Sequence, residues 1–209
     1  TTNNTVAHLV FVDDDKGWLV LENEAKSSPS AITGSGGGYD TEQYIVATGG
    51  TITTVDTNFK VHTFTGPGTF TVTQVADCSA NNAVGYLVVA GGGGTGRSFG
   101  GGAGAGGFRE GRTNPVTPYT ASPLVTTGHT VTAQGYPITV GGGGSSSPTS
   151  PTASGNTGSN STFSTITSAG GGFGGGNKPA GDGGDGGSGG GGNGGSGSQN
   201  GGTGNTPPT

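Results

Sequence analysis

Forty-one of the chain's 51 glycines lie after residue 90, and 21 of them fall in the last 40 of its 209 positions. That concentration decides most of what the chain can become. Glycine costs about 1 kcal/mol at an interior helix position, so helical bundles and coiled coils are excluded. A collagen triple helix needs a strict Gly-X-Y period rich in proline. Here there are 11 prolines and no such period. The longest run of like charge is Asp13-Asp14-Asp15, too short for a charged disordered tail. The first 90 residues are rich in Thr and Val and hold only ten glycines. The chain therefore joins an ordinary first part to a glycine-dominated second part.

Hydrophobic residues make up 27% of the chain and thin out after Val140, which places a modest apolar core before that point. The net charge is −5, and the seven Lys and Arg residues are scattered. Nucleic-acid binding therefore lacks its electrostatic footprint. Cys78 stands alone, so an intrachain disulfide or a Cys-rich metal site is impossible. No 18-residue apolar run marks a membrane span.

Residues 6–12 and 18–22 are β-rich and flank an Asp-Lys-Gly turn, so residues 1–25 are expected to form a small hairpin unit. A hairpin alone is marginal in water and needs a partner surface. Residues 26–42 read as a linker, with Ser, Pro and Gly through 26–38. From 43 to 176 the pattern is β-rich and glycine-rich. The alternating runs 59–65 and 69–75, joined by Gly66-Pro67-Gly68, signal a hairpin. Tyr86–Ala90 reads as a central strand buried on both faces. Pro137 pushes 136–140 toward a sheet edge or a strand start. With no convincing helix, the expected fold class is all-β, a β-sandwich or jelly-roll-like domain with a glycine-rich, polyglycine II-like extension. Residues 177–209 form a glycine-rich tail, either polyglycine helix or flexible linker.

Three strands run straight into glycine, at 91, 141 and 170. Polyglycine can adopt a left-handed helix of three residues per turn, and lack of a Cβ lets such helices pack closely. Asp182, Asp185 and Ser188 are spaced by three, as are Asn193, Ser196 and Gln199. Such residues would share one outward face of each helix.

YIVATGGTITT (44–54), VHTFTGPGTFTVT (61–73), YLVVAGGGG (86–94), GGGAGAGGFREG (100–111), YPITVGGGG (136–144) and NSTFSTITSAGGGFGGG (160–176) follow one another in a fixed order. This series resembles a glycine-rich domain recurrent in bacteriophage tail proteins, notably those of marine phages. It covers about two thirds of the chain. The stretch 115–129 is longer than the family's usual connection. A compositional likeness also exists to the polyglycine-helix tip adhesins of T-even-like phages, whose inter-glycine loops contact the host surface. The resemblance implies a virion structural protein of a tail fibre, tail tip or other appendage that mediates host attachment. Its expected partners are its own copies (a trimer ranked first), other virion proteins, and a host-surface glycan or protein. An extracellular or virion filament subunit is the alternative.

Chemistry-bearing patterns are scarce. His8, His62 and His129 lack metal spacing. The Asp13–Asp15 run lacks the alternating ligands of an EF-hand. The glycine runs match no phosphate-binding loop, and no nucleophile elbow is present. A glycan-active enzyme usually needs a carboxylate pair in a cleft, yet nine of the twelve acidic residues precede residue 78. No enzyme activity, cofactor, metal or catalytic residue is expected. The candidate surface-contact residues are Arg109, Arg112, Tyr119, Ser147 and Pro148, because loops on rigid scaffolds commonly carry binding. Phe99, Phe108, Phe163 and Phe173 lie in or beside glycine runs and are expected to plug seams between glycine segments or subunits. The other reading makes them stacking platforms for sugars.

Overall fold

The computed structural model describes residues 8–13, 17–21, 43–57, 59–113, 121–122, 125–147, 153–177, 181–195 and 199–205. They are nearly all β or extended, with a single 3-10 turn at Ser79–Asn81. Two units divide the chain, Thr1–Glu42 and Gln43–Thr209. In the first, β1 (His8–Asp13) and β2 (Gly17–Leu21) pair antiparallel, with a register shift between Phe11 and Asp13. The expected linker, 26–42, lies outside the described residues.

The second unit begins with a strand ribbon that sequence patterning misassigned. β4 (Thr51–Val55) pairs in unbroken register with β5 (Phe59–Thr63). β3 (Val46–Thr48) precedes them. Asp56 and Thr57 both take left-handed φ, +47° and +65°, the backbone state that closes a tight hairpin. β5 therefore does not pair with β6 (Gly68–Gln74) across Gly66-Pro67-Gly68. Instead β6 pairs with β3 on one side and with β12 (Gly135–Thr139) on the other. The five-stranded sheet is completed by β13 (Ser161–Phe163) and β14 (Ile166–Ser168), in the order β14-β13-β12-β6-β3. β7 (Ala83–Val84) and β11 (His129–Thr130) form a short antiparallel pair.

A second sheet, β10-β9-β8, is built from β8 (Tyr86–Val89), β9 (Phe108–Arg112) and β10 (Thr126–Thr127). β8 and β9 lie over β13 and β14, a sandwich-like arrangement of two sheets. Phe70, Val72, Val88, Val131, Tyr136 and Phe163 form the buried core. Its rings meet edge-on or tilted: Phe163 has Phe70, Tyr86, His129 and Tyr136 within 5.2–6.1 Å. Such aromatic geometry contributes beyond area burial. The Tyr136 hydroxyl accepts the Thr132 N–H at 2.7 Å. Burial pushes the phenol upward, but hydrogen bonds from Thr132 and Gln134 outweigh it and hold its pKa below the usual tyrosine range.

Two strand readings change. β8 is an edge strand, not a central one: Val88 is buried, while Leu87 and Val89 are 61% and 53% exposed. β12 is interior, despite Pro137. The proline is tolerated because β13 pairs only with Ile138 and Thr139, leaving Pro137 in register with β6 alone.

Beyond the sheets the described residues form eight extended glycine segments: p1 (90–96), p2 (100–107), p3 (140–147), p4 (153–160), p5 (169–177), p6 (181–187), p7 (188–195) and p8 (199–205). They are joined by backbone hydrogen bonds that recur every third residue. The N–H groups of Ala90, Gly93 and Gly96 donate to the carbonyls of Gly107, Gly104 and Gly101. p5 is the central segment. Gly171 and Gly174 donate to Gly91 and Gly94 of p1; Gly172 and Gly175 donate to Ser188 and Gly191 of p7. Its carbonyls accept from Gly155 and Gly158 of p4, from Gly101 and Gly104 of p2, and from Gly184 and Gly187 of p6. The pairings arrange the segments in three layers: p8-p7-p2, p6-p5-p1 and p4-p3. Neighbours in chain order run in opposite directions, and p1, p3 and p5 leave the strands in parallel.

A period of three with outward hydrogen bonds is the geometry of polyglycine II. No glycine in the segments has a positive φ; only Gly49 and Gly50 do among the described residues. That fits the left-handed form. Most of the glycines are required by proximity instead. A Cβ on Gly171 would stand 2.7 and 2.8 Å from the carbonyl atoms of Ala105 and closer still to Gly104.

The non-glycine residues close the lattice. The Phe173 ring lies where a Cβ on Gly184 would sit. The Asn160 carboxamide and the Ser154 hydroxyl accept the N–H groups of Gly170 and Gly176. Asp182 and Asp185 are exposed, and their carboxylates accept the p8 N–H groups of Asn200 and Thr203. Gly183 and Gly186 hold the carbonyls of the same two residues. Asn193 departs from the expected outward face. It is buried and donates to the Gly176 carbonyl at 2.6 Å. Ser196 lies outside the described residues. Residues 181–195 and 199–205 thus pack into the same unit as 43–176, and no boundary falls at 177.

Two measurements test the lattice. Gly171→Ala is expected to cost about 1–3 kcal/mol, as overpacking does. Gly142→Ala, where an added Cβ meets nothing within 4 Å, is expected to be neutral or slightly stabilising. Equal melting temperatures for the two variants would contradict the packing. Replacing Asp182 and Asp185 together by Ala is expected to speed hydrogen exchange of the Asn200 and Thr203 amides at least tenfold, with the Gly171 amide unchanged.

Candidate functional site

The glycine slab has two ends. At the near end, p1, p3 and p5 leave β8, β12 and β14, and p2 and p4 enter β9 and β13. At the far end lie residues 97–99, which join p1 to p2, together with the last described residues of p3, p5 and p7 and the first of p4, p6 and p8. Six steps of about 3.1 Å separate them along p1, roughly 19 Å.

Residues 97–99 are the described connection at the far end. Ser98 and Phe99 both take left-handed φ, +51° and +60°. A bulky residue in that region is strained, and strain held by surrounding structure gathers at functional positions. Phe99 is 77% exposed, the most exposed large hydrophobic residue described. The turn is anchored beneath by the Gly96 N–H on the Gly101 carbonyl and by the Gly194 N–H on the Phe99 carbonyl. Ser147 lies at the same end, its N–H donating to Thr95 at 3.2 Å. Thr95 and Ser146 join through their hydroxyls beside it. Tyr119 and Pro148 lie outside the described residues.

Arg109 and Arg112 sit at the opposite end, on β9. Arg109 donates to the Phe108 carbonyl at 3.0 Å and to the Asn205 side chain at 3.3 Å, which ties p8 to the sheet. Arg112 is exposed at the strand's end. The fold therefore splits the candidate contact residues between two surfaces. Neither arginine stands with Ser147.

The four phenylalanines part in the same way. Phe163 packs in the aromatic core between the sheets, not in a seam of glycine segments. Phe173 seals p5 against p6. Phe99 is exposed at the far end, and Phe108 is 42% exposed on β9.

Near the sheets a second surface opens, a half-open cleft of about 1230 Å³. One wall is β5 and the other is β8 with β9. Phe59, Val61, Leu87, Val89 and Phe108 line it. Glu110 is buried at its side, and its carboxylate accepts the Ser122 N–H at 3.1 Å. Sequence reading missed the cleft because its walls belong to strands whose pairing the pattern did not predict. Among the described residues no group of three or more His, Cys, Asp or Glu side chains could hold a metal. No helix among them is long and apolar enough to cross a membrane.

A protein-family model described as a glycine-rich domain matches residues 63–208. Searches of the curated proteins and of the solved structures gave no match. The matched span takes in β6, both sheets' later strands and the glycine segments through p8, and the chain belongs to this glycine-rich domain family.

Proposed function

We propose that the chain is a non-enzymatic structural component of a bacteriophage virion, part of a tail fibre, tail tip or similar surface appendage, that mediates attachment to the host. Its site of action would be the virion surface. Its partners would be further copies of itself, neighbouring virion proteins and a glycan or protein on the host cell. The observation that carries the reading is Phe99: 77% exposed, in a left-handed turn, at the end of the slab away from the sheets. A lattice of backbone hydrogen bonds is a stiff support, and loops on stiff supports are where binding concentrates. An exposed aromatic face suits stacking on a sugar ring or insertion into a protein pocket. The ordered resemblance to phage tail glycine-rich domains supports the virion assignment.

The test uses the whole chain, fluorescently labelled, against a panel of intact bacterial isolates. Phe99→Ala is expected to lower cell binding at least tenfold while circular dichroism and melting temperature stay unchanged. Undiminished binding by the variant, or no binding by the unsubstituted chain to any isolate, would sink attachment through this turn and favour a filament subunit with a purely structural role.

A further inference from the structure

Among the described residues, the strand edges of the second unit are guarded, with one exception. An unpaired edge offers N–H and C=O groups to another chain, and proteins blunt such edges with short strands, bulges, charge or proline. β3 has three residues and a register shift; β14 has three residues. β7, β10 and β11 have two each, and β8 has four. β5 carries Lys60 at its second position. β4 has none of these protections. It is five residues long, TITTV, all β-branched, uncharged and free of proline, and its register with β5 is unbroken. All five residues are exposed, and among the described residues no strand but β5 pairs with it. Exposed strands of high β-propensity and low charge are templates for pairing with another chain.

We propose that β4 is a homodimer interface, pairing antiparallel with β4 of a second copy about a two-fold axis to make a continuous four-stranded sheet, β5-β4-β4-β5. The occupant is argued from self-complementarity. Two identical strands related by a two-fold axis must run antiparallel, and a two-fold interface uses one patch on both subunits. Full overlap of five residues puts Thr53 on the axis opposite Thr53 of the second copy. Thr51 then faces Val55, and Ile52 faces Thr54. Every cross-strand pair is β-branched, and cross-strand side-chain pairs are the unit of sheet stabilisation. Ile52 and Val55, 44% and 43% exposed in the single chain, would gain cover on both faces of the new sheet. The register with β5 also places Val61 beside Thr53 and Phe59 beside Val55. Their exposed face would become one apolar strip across both copies. This interface is independent of attachment through Phe99, which lies at the far end of the glycine slab.

Light scattering on the purified chain, coupled to size exclusion, reads the state directly. A dimer is expected. Thr53→Lys, which sets two ammonium groups against each other on the axis, is expected to raise the dissociation constant at least tenfold without altering circular dichroism. In a Cys78→Ser background, Thr53→Cys is expected to form a disulfide-linked dimer on mild oxidation. Thr51→Cys in the same background is expected to stay uncrosslinked, because full overlap places Val55 opposite it. A monomer at all concentrations, a trimer, a dimer that survives Thr53→Lys, or equal crosslinking at positions 51 and 53 would overturn the proposal.

Discussion

Everything in the second unit depends on how closely backbones approach each other when no Cβ intervenes. In p5 the amide and carbonyl groups of residues 170–175 reach five neighbouring segments, each contact repeating at every third residue. Ordinary domains hold together by burying hydrocarbon. This one buries glycine, and the stabilisation moves to backbone hydrogen bonds, each worth about 1 kcal/mol net. Leaving such groups buried and unpaired would cost more than that, so the lattice tolerates little local error.

The sheets and the slab solve different halves of the problem. A left-handed glycine helix has no hydrogen bonds of its own and cannot set its own register against a neighbour. The strands do so: β8, β12 and β14 launch p1, p3 and p5 in parallel, and β9 and β13 receive p2 and p4. The small aromatic core around Phe163 draws residues from β8, β12, β13 and β14, and β9 is held by its pairing with β8. The few side chains within the slab then terminate it. Phe173 covers one side of p5, and Asp182 and Asp185 satisfy p8 amides that face no further segment. Asn193 satisfies the Gly176 carbonyl at the far end.

Legibility in the sequence followed the range of the interaction. The N-terminal hairpin, the all-β class and the strand-to-glycine exits were readable because each is a local pattern. The three-residue spacing of Asp182 and Asp185 marked a real period. Strand pairing was not readable. Gly66-Pro67-Gly68 looked like a hairpin turn, yet Asp56 and Thr57 in left-handed conformations turned β5 back onto β4 instead. Tyr86–Ala90 looked doubly buried, yet Leu87 and Val89 face the cleft. Alternation identifies two faces of a strand without saying which one meets the core. In β5 the His62 face leans on Phe70, while Phe59 and Val61 stay exposed.

By itself the sequence determined that the glycine runs of this chain could be neither helix nor conventional core. Glycine at this density removes both helix propensity and hydrocarbon. It also determined a period of three wherever Asp and Gly alternate as Asp-Gly-Gly. Only the tertiary structure decided that eight such segments form a lattice and not a flexible tail. It also decided which of them lies at the centre, and that Phe99 and Ser147 share one end while Arg109 and Arg112 share the other. The reason is physical: a glycine segment carries no side chain to encode its neighbour, so its partner is chosen by where the flanking strands point it.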